Sequence, residues 1–121
     1  MSKRILTVDD SRTIRDMLRH TLAQAGYDVV QAEDGVHGIE VLGSDTVDVI
    51  ITDLNMPRLD GIGFIRHLRQ DAVHKATPIL ILTTESDAKK RAEGKAAGAT
   101  GWIVKPFDPV KLLDVVRRVC P

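Results

Sequence analysis

Polar side chains with chemical capacity stand where apolar runs stop. Asp9 and Asp10 follow Ile5-Leu6-Thr7-Val8, and Asp53 follows Val49-Ile50-Ile51-Thr52. Thr83 follows Ile79-Leu80-Ile81-Leu82, and Lys105 follows Trp102-Ile103-Val104. If these runs are parallel strands of one sheet, their carboxyl ends share one edge, the edge at which open α/β sheets place ligands. Crowded carboxylates repel, and some stay protonated unless a cation is present. A few carboxylates completed by waters and phosphate oxygens are the ligand set magnesium favours. With the metal on Asp9 and Asp10, the Asp53 carboxylate is free to act as nucleophile toward a phosphoryl group, giving an acyl phosphate. Lys105 can pair with one phosphoryl oxygen, and Thr83 can donate a hydrogen bond to another. In-line transfer of this kind needs positioning and charge neutralisation more than acid–base chemistry, so it requires no placed histidine. His20, His37, His67 and His74 fall on helices or loops, and no Cys/His cluster points to zinc.

The stretch over residues 49–61, V-I-I-T-D-L-N-M-P-R-L-D-G, organises this arrangement. Its β-branched run, with Val47 ahead of it, suits a strand buried on both faces of a parallel sheet. Pro57 and Gly61 punctuate the turn that follows. Taken alone, Asp53 reads equally well as a reactive carboxylate and as the cap of that turn.

The elements around it alternate. Residues 3–8 read as a buried strand, and Ser11 starts a helix with Ile14, Met17, Leu18 and Leu22 inward, closed by Gly26. Residues 27–32 are a short strand, and residues 35–42 a short helix with Val36, Ile39 and Leu42 inward, ending by Ser44. After the central strand, residues 61–70 form a helix with Ile62, Ile65 and Leu68 on one face. Pro78 opens the fourth strand, residues 79–82. The next helix, residues 87–97, has Ala88, Ala92 and Ala96 as its expected inward stripe, Gly94 in its interior and a basic outer face of Lys89, Lys90, Arg91 and Lys95. An interior glycine costs roughly 0.5–1 kcal/mol and alanines bury little area, so this helix is expected to be the least stable and most mobile element. Gly98 stops it. Residues 102–104 are a fifth strand, and Asp108 caps a last helix that has Pro109 at its first position and Val110, Leu113, Val116 and Val119 inward. Five strands alternating with five helices, without repeats or linkers, mean an α/β fold with a parallel sheet and right-handed crossovers. The expected architecture is a flavodoxin-like (βα)5 three-layer sandwich with strand order 2-1-3-4-5, which makes the first and third strands neighbours.

Composition narrows the function classes. The 121 residues are 43% hydrophobic and 28% charged, as in one soluble domain with a single core. Seventeen basic and 17 acidic side chains cancel, and aromatics are only 3%, so nucleic-acid binding has no electrostatic or stacking footprint. Cys120 is the single cysteine and cannot form an internal disulfide, which fits a reducing compartment. The basic start (Met1, Ser2, Lys3, Arg4) leads into an apolar run that breaks at Asp9 and Asp10, too short for a signal peptide or a membrane span. The expectation is a single cytoplasmic domain over residues 1–121, a monomer without nucleic-acid or membrane partners.

Asp9-Asp10, Asp53-Leu54-Asn55-Met56-Pro57 with Asp60-Gly61, Thr83, and Lys105-Pro106-Phe107 together resemble the receiver domain of two-component response regulators. The resemblance covers the whole chain and is greatest to the stand-alone, CheY-like chemotaxis regulators. It implies that Asp53 is the phosphorylated aspartate. Asp10, Asp53 and the Asn55 carbonyl would bind Mg2+ directly, and Asp9 largely through water. Lys105 and Thr83 would bind the phosphoryl group, with backbone N–H groups near Asn55 and Thr84, and the Lys105–Pro106 peptide would be cis. Trp102 matches the family's switch aromatic, usually tyrosine or phenylalanine, which turns inward when the threonine moves. An indole is bulkier and needs an N–H partner when buried, so Trp102 reads either as that switch or as a permanently packed residue. The output face would be the fourth helix, fifth strand and fifth helix. Its lysines suit an acidic partner, or are simply solvated. Asn55 and Glu85 occupy the positions that tune acyl-phosphate lifetime, and polar residues at both imply a short-lived signal.

The resemblance implies a regulator phosphorylated by a histidine kinase (CheA-like) or a histidine phosphotransfer domain, which then binds the flagellar motor switch. The competing expectation is a phosphate carrier or sink that binds no motor. A true phosphohydrolase with an aspartyl nucleophile usually has a second aspartate two residues on as general acid. Asn55 stands there and cannot protonate a leaving group, so the domain is expected to catalyse only its own Mg2+-dependent phosphorylation and dephosphorylation. Because the receiver pattern occupies all 121 residues, a fused DNA-binding module is not expected.

Overall fold

The computed structural model describes residues 2–43 and 45–121. Ser44, the expected end of the second helix, lies outside the described residues. Strands and helices alternate: β1 (Arg4–Val8), α1 (Arg12–Gln24), β2 (Asp28–Ala32), α2 (Gly35–Leu42), β3 (Val49–Thr52), α3 (Gly61–Arg69), β4 (Ile79–Thr83), α4 (Ala88–Ala97), β5 (Gly101–Val104) and α5 (Pro109–Val119). All strand pairs are parallel, in the order β2-β1-β3-β4-β5. This is the expected flavodoxin-like order.

Strand periodicity sorts the apolar residues into two cores. Leu6, Val8, Ile50, Ile79 and Ile81 face the side covered by Leu42 of α2, Phe64, Ile65 and Leu68 of α3, and Ala97 of α4. Their neighbours Ile5, Val49, Ile51, Leu80 and Leu82 face Leu18 and Leu22 of α1 and Leu112 and Val116 of α5. Every residue of β3 and β4 is buried, as continuous β-branched and leucine-rich runs require when helices cover both faces. Each helix starts on a side-chain cap. Ser11 Oγ accepts the Ile14 N–H at 3.3 Å, Asp34 Oδ1 the His37 N–H at 2.9 Å, and Asp60 Oδ1 the Gly63 N–H at 2.8 Å. Asp87 and Asp108 do the same for α4 and α5.

Three expected inward faces are corrected. Met17 is 45% exposed and Val110 75% exposed. Each lies 100° or 200° around its helix from the buried residue (Leu18, Leu112) that sets the inward stripe. On α4, Ala88, Ala92 and Ala96 face solvent, and the buried residues are Gly94 and Ala97. The reason is steric. A Cβ at Gly94 would stand 2.9 Å from Ile81 Cδ1 and 3.1 Å from Trp102 Cζ3, so the glycine is the point of close approach rather than a flaw. The outer lysines and Arg91 are exposed as expected.

Gly61 is the most constrained glycine. A Cβ there would collide with the backbone carbonyl of Asp53 and stand 2.9 Å from Leu54 Cα. Because the obstacle is backbone, Gly61→Ala is expected to destabilise the fold by about 1–3 kcal/mol, read as a lower urea midpoint.

Candidate functional site

Strand register builds the site. Val8 pairs with Thr52, so the chain leaves β1 and β3 side by side, and the Asp53 N–H donates to the Val8 carbonyl at 2.8 Å. Thr83 pairs with Val104, and the Lys105 N–H donates to the Thr83 carbonyl at 2.8 Å. Carboxylate oxygens of Asp9, Asp10 and Asp53 lie within 4.8 Å of one another. Asp9 and Asp53 are buried, and Asp10 is exposed. Lys105 reaches across β4 to them: its Nζ is 2.7 Å from Asp9 Oδ2 and 3.1 Å from Asp53 Oδ2.

Burial pushes the Asp9 carboxyl above its ordinary value, and the Asp53 charge adds to this. The Lys105 ammonium and the Ser11 N–H, which donates to Asp9 Oδ1 at 2.9 Å, oppose it. Burial alone would lower the Lys105 ammonium, but Asp9 and Asp53 together outweigh it and hold the ammonium above its usual range. Backbone contacts lock both acids. Arg15 Nη1 donates to the Asp9 carbonyl at 2.6 Å, the Leu54 N–H to Asp53 Oδ1 at 2.7 Å, and the Thr52 hydroxyl to the Asp53 carbonyl at 2.9 Å.

Asp9 Oδ2 is buried and is met by the Lys105 ammonium at 2.7 Å. Three carboxylates with oxygens this close, served by one ammonium, are a hard, all-oxygen donor set, and they fit a magnesium ion. The remaining expected residues follow the C-terminal ends of β3 and β4 or close β4. Asn55 lies exposed in the β3–α3 loop and Thr84 exposed after β4, while Thr83 is buried. The Lys105–Pro106 peptide is cis. Thr83 Oγ1 accepts the Glu85 N–H at 3.2 Å, and the Glu85 carbonyl accepts the Trp102 indole N–H at 3.2 Å. The Arg91 guanidinium lies 5.8 Å from the centre of the same indole. One residue, Glu85, thus stands between the buried threonine and the half-buried tryptophan, held at its N–H by the first and at its carbonyl by the second.

Sequence reading missed two supports. Arg15 had no signal beyond its place one turn into α1. The contact of Arg58 with Asp34, two residues far apart in sequence, was signalled only by Asp34-Gly35 at a helix start, a capping pattern.

The profile of the family described as "Response regulator receiver domain" matches residues 5–117. The response regulator MprA of Mycobacterium ulcerans (strain Agy99) is 43% identical over 98% of this chain, but the match covers 50% of that protein. The chain thus spans about half the length of the curated relatives it matches. The chemotaxis protein CheY4 of Vibrio cholerae superposes with a TM-score of 0.94 at 48% identity, over 98% of this chain and 99% of that one. The receiver domain of the sensor histidine kinase PA1611 from Pseudomonas aeruginosa PAO1, determined with a magnesium ion coordinated in its active-site cleft, superposes with a TM-score of 0.92 at 26% identity, over 99% and 98% of the two chains. No helix among the described residues is long and apolar enough to cross a membrane. A parallel sheet with an acidic, magnesium-compatible edge and a family match over nearly the whole chain lead to one conclusion: this chain belongs to the response regulator receiver domain family, the phosphorylation-activated signalling domains of two-component systems.

Proposed function

We propose that Asp53 accepts a phosphoryl group from a histidine kinase or a histidine phosphotransfer domain, and that the modified domain then binds the flagellar motor switch. The observation that carries the chemical part is the Lys105 ammonium held between Asp9 and Asp53 beside Asp10. In this reading Asp10, Asp53 and the Asn55 carbonyl hold Mg2+ directly, and Asp9 acts largely through water. When bound, the metal supplies the positive charge that offsets the carboxylates and the incoming phosphoryl oxygens. The remaining Asp53 oxygen attacks phosphorus as the bond from phosphorus to the donor imidazole nitrogen breaks, and the imidazole leaves with that electron pair. Lys105 Nζ, the Thr83 hydroxyl and the N–H groups of Asn55 and Thr84 hold the transferred oxygens. Water later reverses the modification, at a rate tuned by Asn55 and Glu85. The domain catalyses these steps on itself alone. Residues 1–121 act as one receiver domain, a cytoplasmic monomer.

Thr83 Oγ1 accepts from the Glu85 N–H and keeps its own proton to donate to a phosphoryl oxygen. In this reading a shift of Thr83 toward that oxygen pulls on Glu85, whose carbonyl Trp102 holds. Trp102 starts against Gly94 and beneath Arg91, so the change reaches the α4–β5–α5 face. The likeness to the chemotaxis protein CheY4 supports the motor as the reader. The likeness to a kinase receiver domain favours a second reading, a carrier or sink that passes phosphate within a relay and binds no motor.

Immobilised protein incubated with source-cell lysate, with and without Mg2+ plus beryllofluoride (a phosphoryl mimic), separates these readings. Capture of a motor-switch component only with the mimic, and its loss in Asp53→Asn, is the expected result. Capture of kinase or phosphotransfer proteins alone selects the relay reading. Binding indifferent to both the mimic and Asp53 refutes the switch.

The metal reading carries its own stability signature. Because the Asp9 carboxyl is raised by burial, the folded state keeps its proton over a window just above the ordinary value of 3.8, where the unfolded chain has released it. Stability therefore falls as pH rises through that window and stays lowered at neutrality. Asp9→Asn removes the loss while Lys105 keeps Asp53 as its partner. Metal-free Asp9→Asn is expected to melt above the native protein at pH 7, with the gap closing below pH 3.8. Its melting point is also expected to rise less on adding Mg2+. A variant melting below the native protein at pH 7 contradicts this reading.

A further inference from the structure

We propose that Arg58 and Asp34 form a clamp that positions the β3–α3 loop for metal binding, an inference that rests on the reading of Asp10, Asp53 and Asn55 as the Mg2+ ligands. Arg58 Nε donates to Asp34 Oδ2 at 2.8 Å, and Nη2 donates to Oδ1 at 3.0 Å, a bidentate fork. Asp34 is itself fixed. Its side chain is buried, and it caps α2 through the His37 N–H. The fork therefore joins the loop that carries Asn55 to the start of a packed helix.

The backbone at Arg58 shows that the loop is held rather than relaxed. Its φ of 65° makes it the one non-glycine with positive φ among the described residues. A residue with a Cβ avoids this region, and one found there persists only where its surroundings over-determine it. Those surroundings are visible. The Gly35 N–H donates to the Leu59 carbonyl at 3.2 Å, and the Leu59 side chain lies in notches left by two glycines. A Cβ at Gly35 would stand 2.9 Å from Leu59 Cβ, and one at Gly63 would stand 2.7 Å from Leu59 Cδ1. At its base the loop is closed by the Gly61 N–H donating to the Leu54 carbonyl at 2.8 Å. Asn55 sits between the closed base and the clamped flank.

Overall stability is not what the fork chiefly serves. The Arg58 side chain is 53% exposed, and half-exposed ion pairs add little to folding. What a bidentate fork adds is direction. It holds the chain after Pro57 in one path, so the loop needs no ordering when a cation arrives. Outer residues that orient metal ligands commonly change metal affinity without touching the ion. Arg58 is on this argument a positioning residue, not a catalytic one.

Calorimetric titration of the full chain with Mg2+ alone, alongside thermal melts and amide hydrogen exchange, tests the clamp. Arg58→Gly adopts the left-handed backbone without a Cβ penalty, so it is expected to fold and to melt near the native protein. Its Mg2+ affinity is expected to fall about tenfold, with faster exchange at the Gly35 amide before metal is added. Asp34→Asn keeps a capping oxygen and weakens the fork, so its affinity should move in the same direction, and Arg58→Lys should recover part of the loss. Native Mg2+ affinity in both Arg58→Gly and Asp34→Asn overturns the clamp and leaves the metal reading standing. No Mg2+ binding by the native chain overturns the metal reading, and the clamp's role with it.

Discussion

The structure depends on one electrostatic compromise, the Lys105 ammonium set between the buried carboxylates of Asp9 and Asp53. Two acids at the ends of adjacent central strands repel each other, and burial raises the cost of charging Asp9. One ammonium from the far side of β4 offsets this in part. The offset is incomplete, since burial still holds the Asp9 carboxyl above its usual range. An edge that is short of positive charge is poised for a cation and for the cation-assisted arrival of an anionic group.

Few contacts likewise connect the site with the α4 surface. Thr83 and Trp102 do not hydrogen-bond to each other; both hold the Glu85 backbone, one at its N–H and the other at its carbonyl. The indole in turn lies where α4 approaches most closely, at Gly94, with Arg91 across its face. Since α4 buries little beyond Gly94 and Ala97, a small shift at Glu85 or Trp102 meets weak resistance there. In the proposed switch, the smallness of the buried residues on α4 leaves little packing to oppose such a shift.

The parallel alternation, the two-sided burial of β3 and β4, and all five helix starts were legible, because each rests on local pattern: apolar runs of strand length, caps, prolines and glycines. The strand order, 2-1-3-4-5, came from a common arrangement for such an alternation and not from any local pattern. Where the reading slipped, it slipped by rotation about a helix axis. Ala88, Ala92 and Ala96 make a regular stripe, yet the close approach permitted by Gly94 turned α4 the other way. Met17 and Val110 are apolar at helical spacing, but Leu18 and Leu112 set the inward direction, and residue type alone does not rank them.

The sequence by itself determined which chemistry was available: carboxylates, a hydroxyl and an ammonium at the ends of strand-like runs, gathered at one edge because parallel strands share a direction. Only the tertiary structure decided how those groups share charge. Which oxygens face Lys105, and which residue joins Thr83 to Trp102, depend on distances of a few ångströms across β1, β3, β4 and β5. Arg58 and Asp34 show the same limit. Twenty-four residues apart, they meet because α2 and the β3–α3 loop pack at one corner of the sheet, a pairing no local pattern encodes.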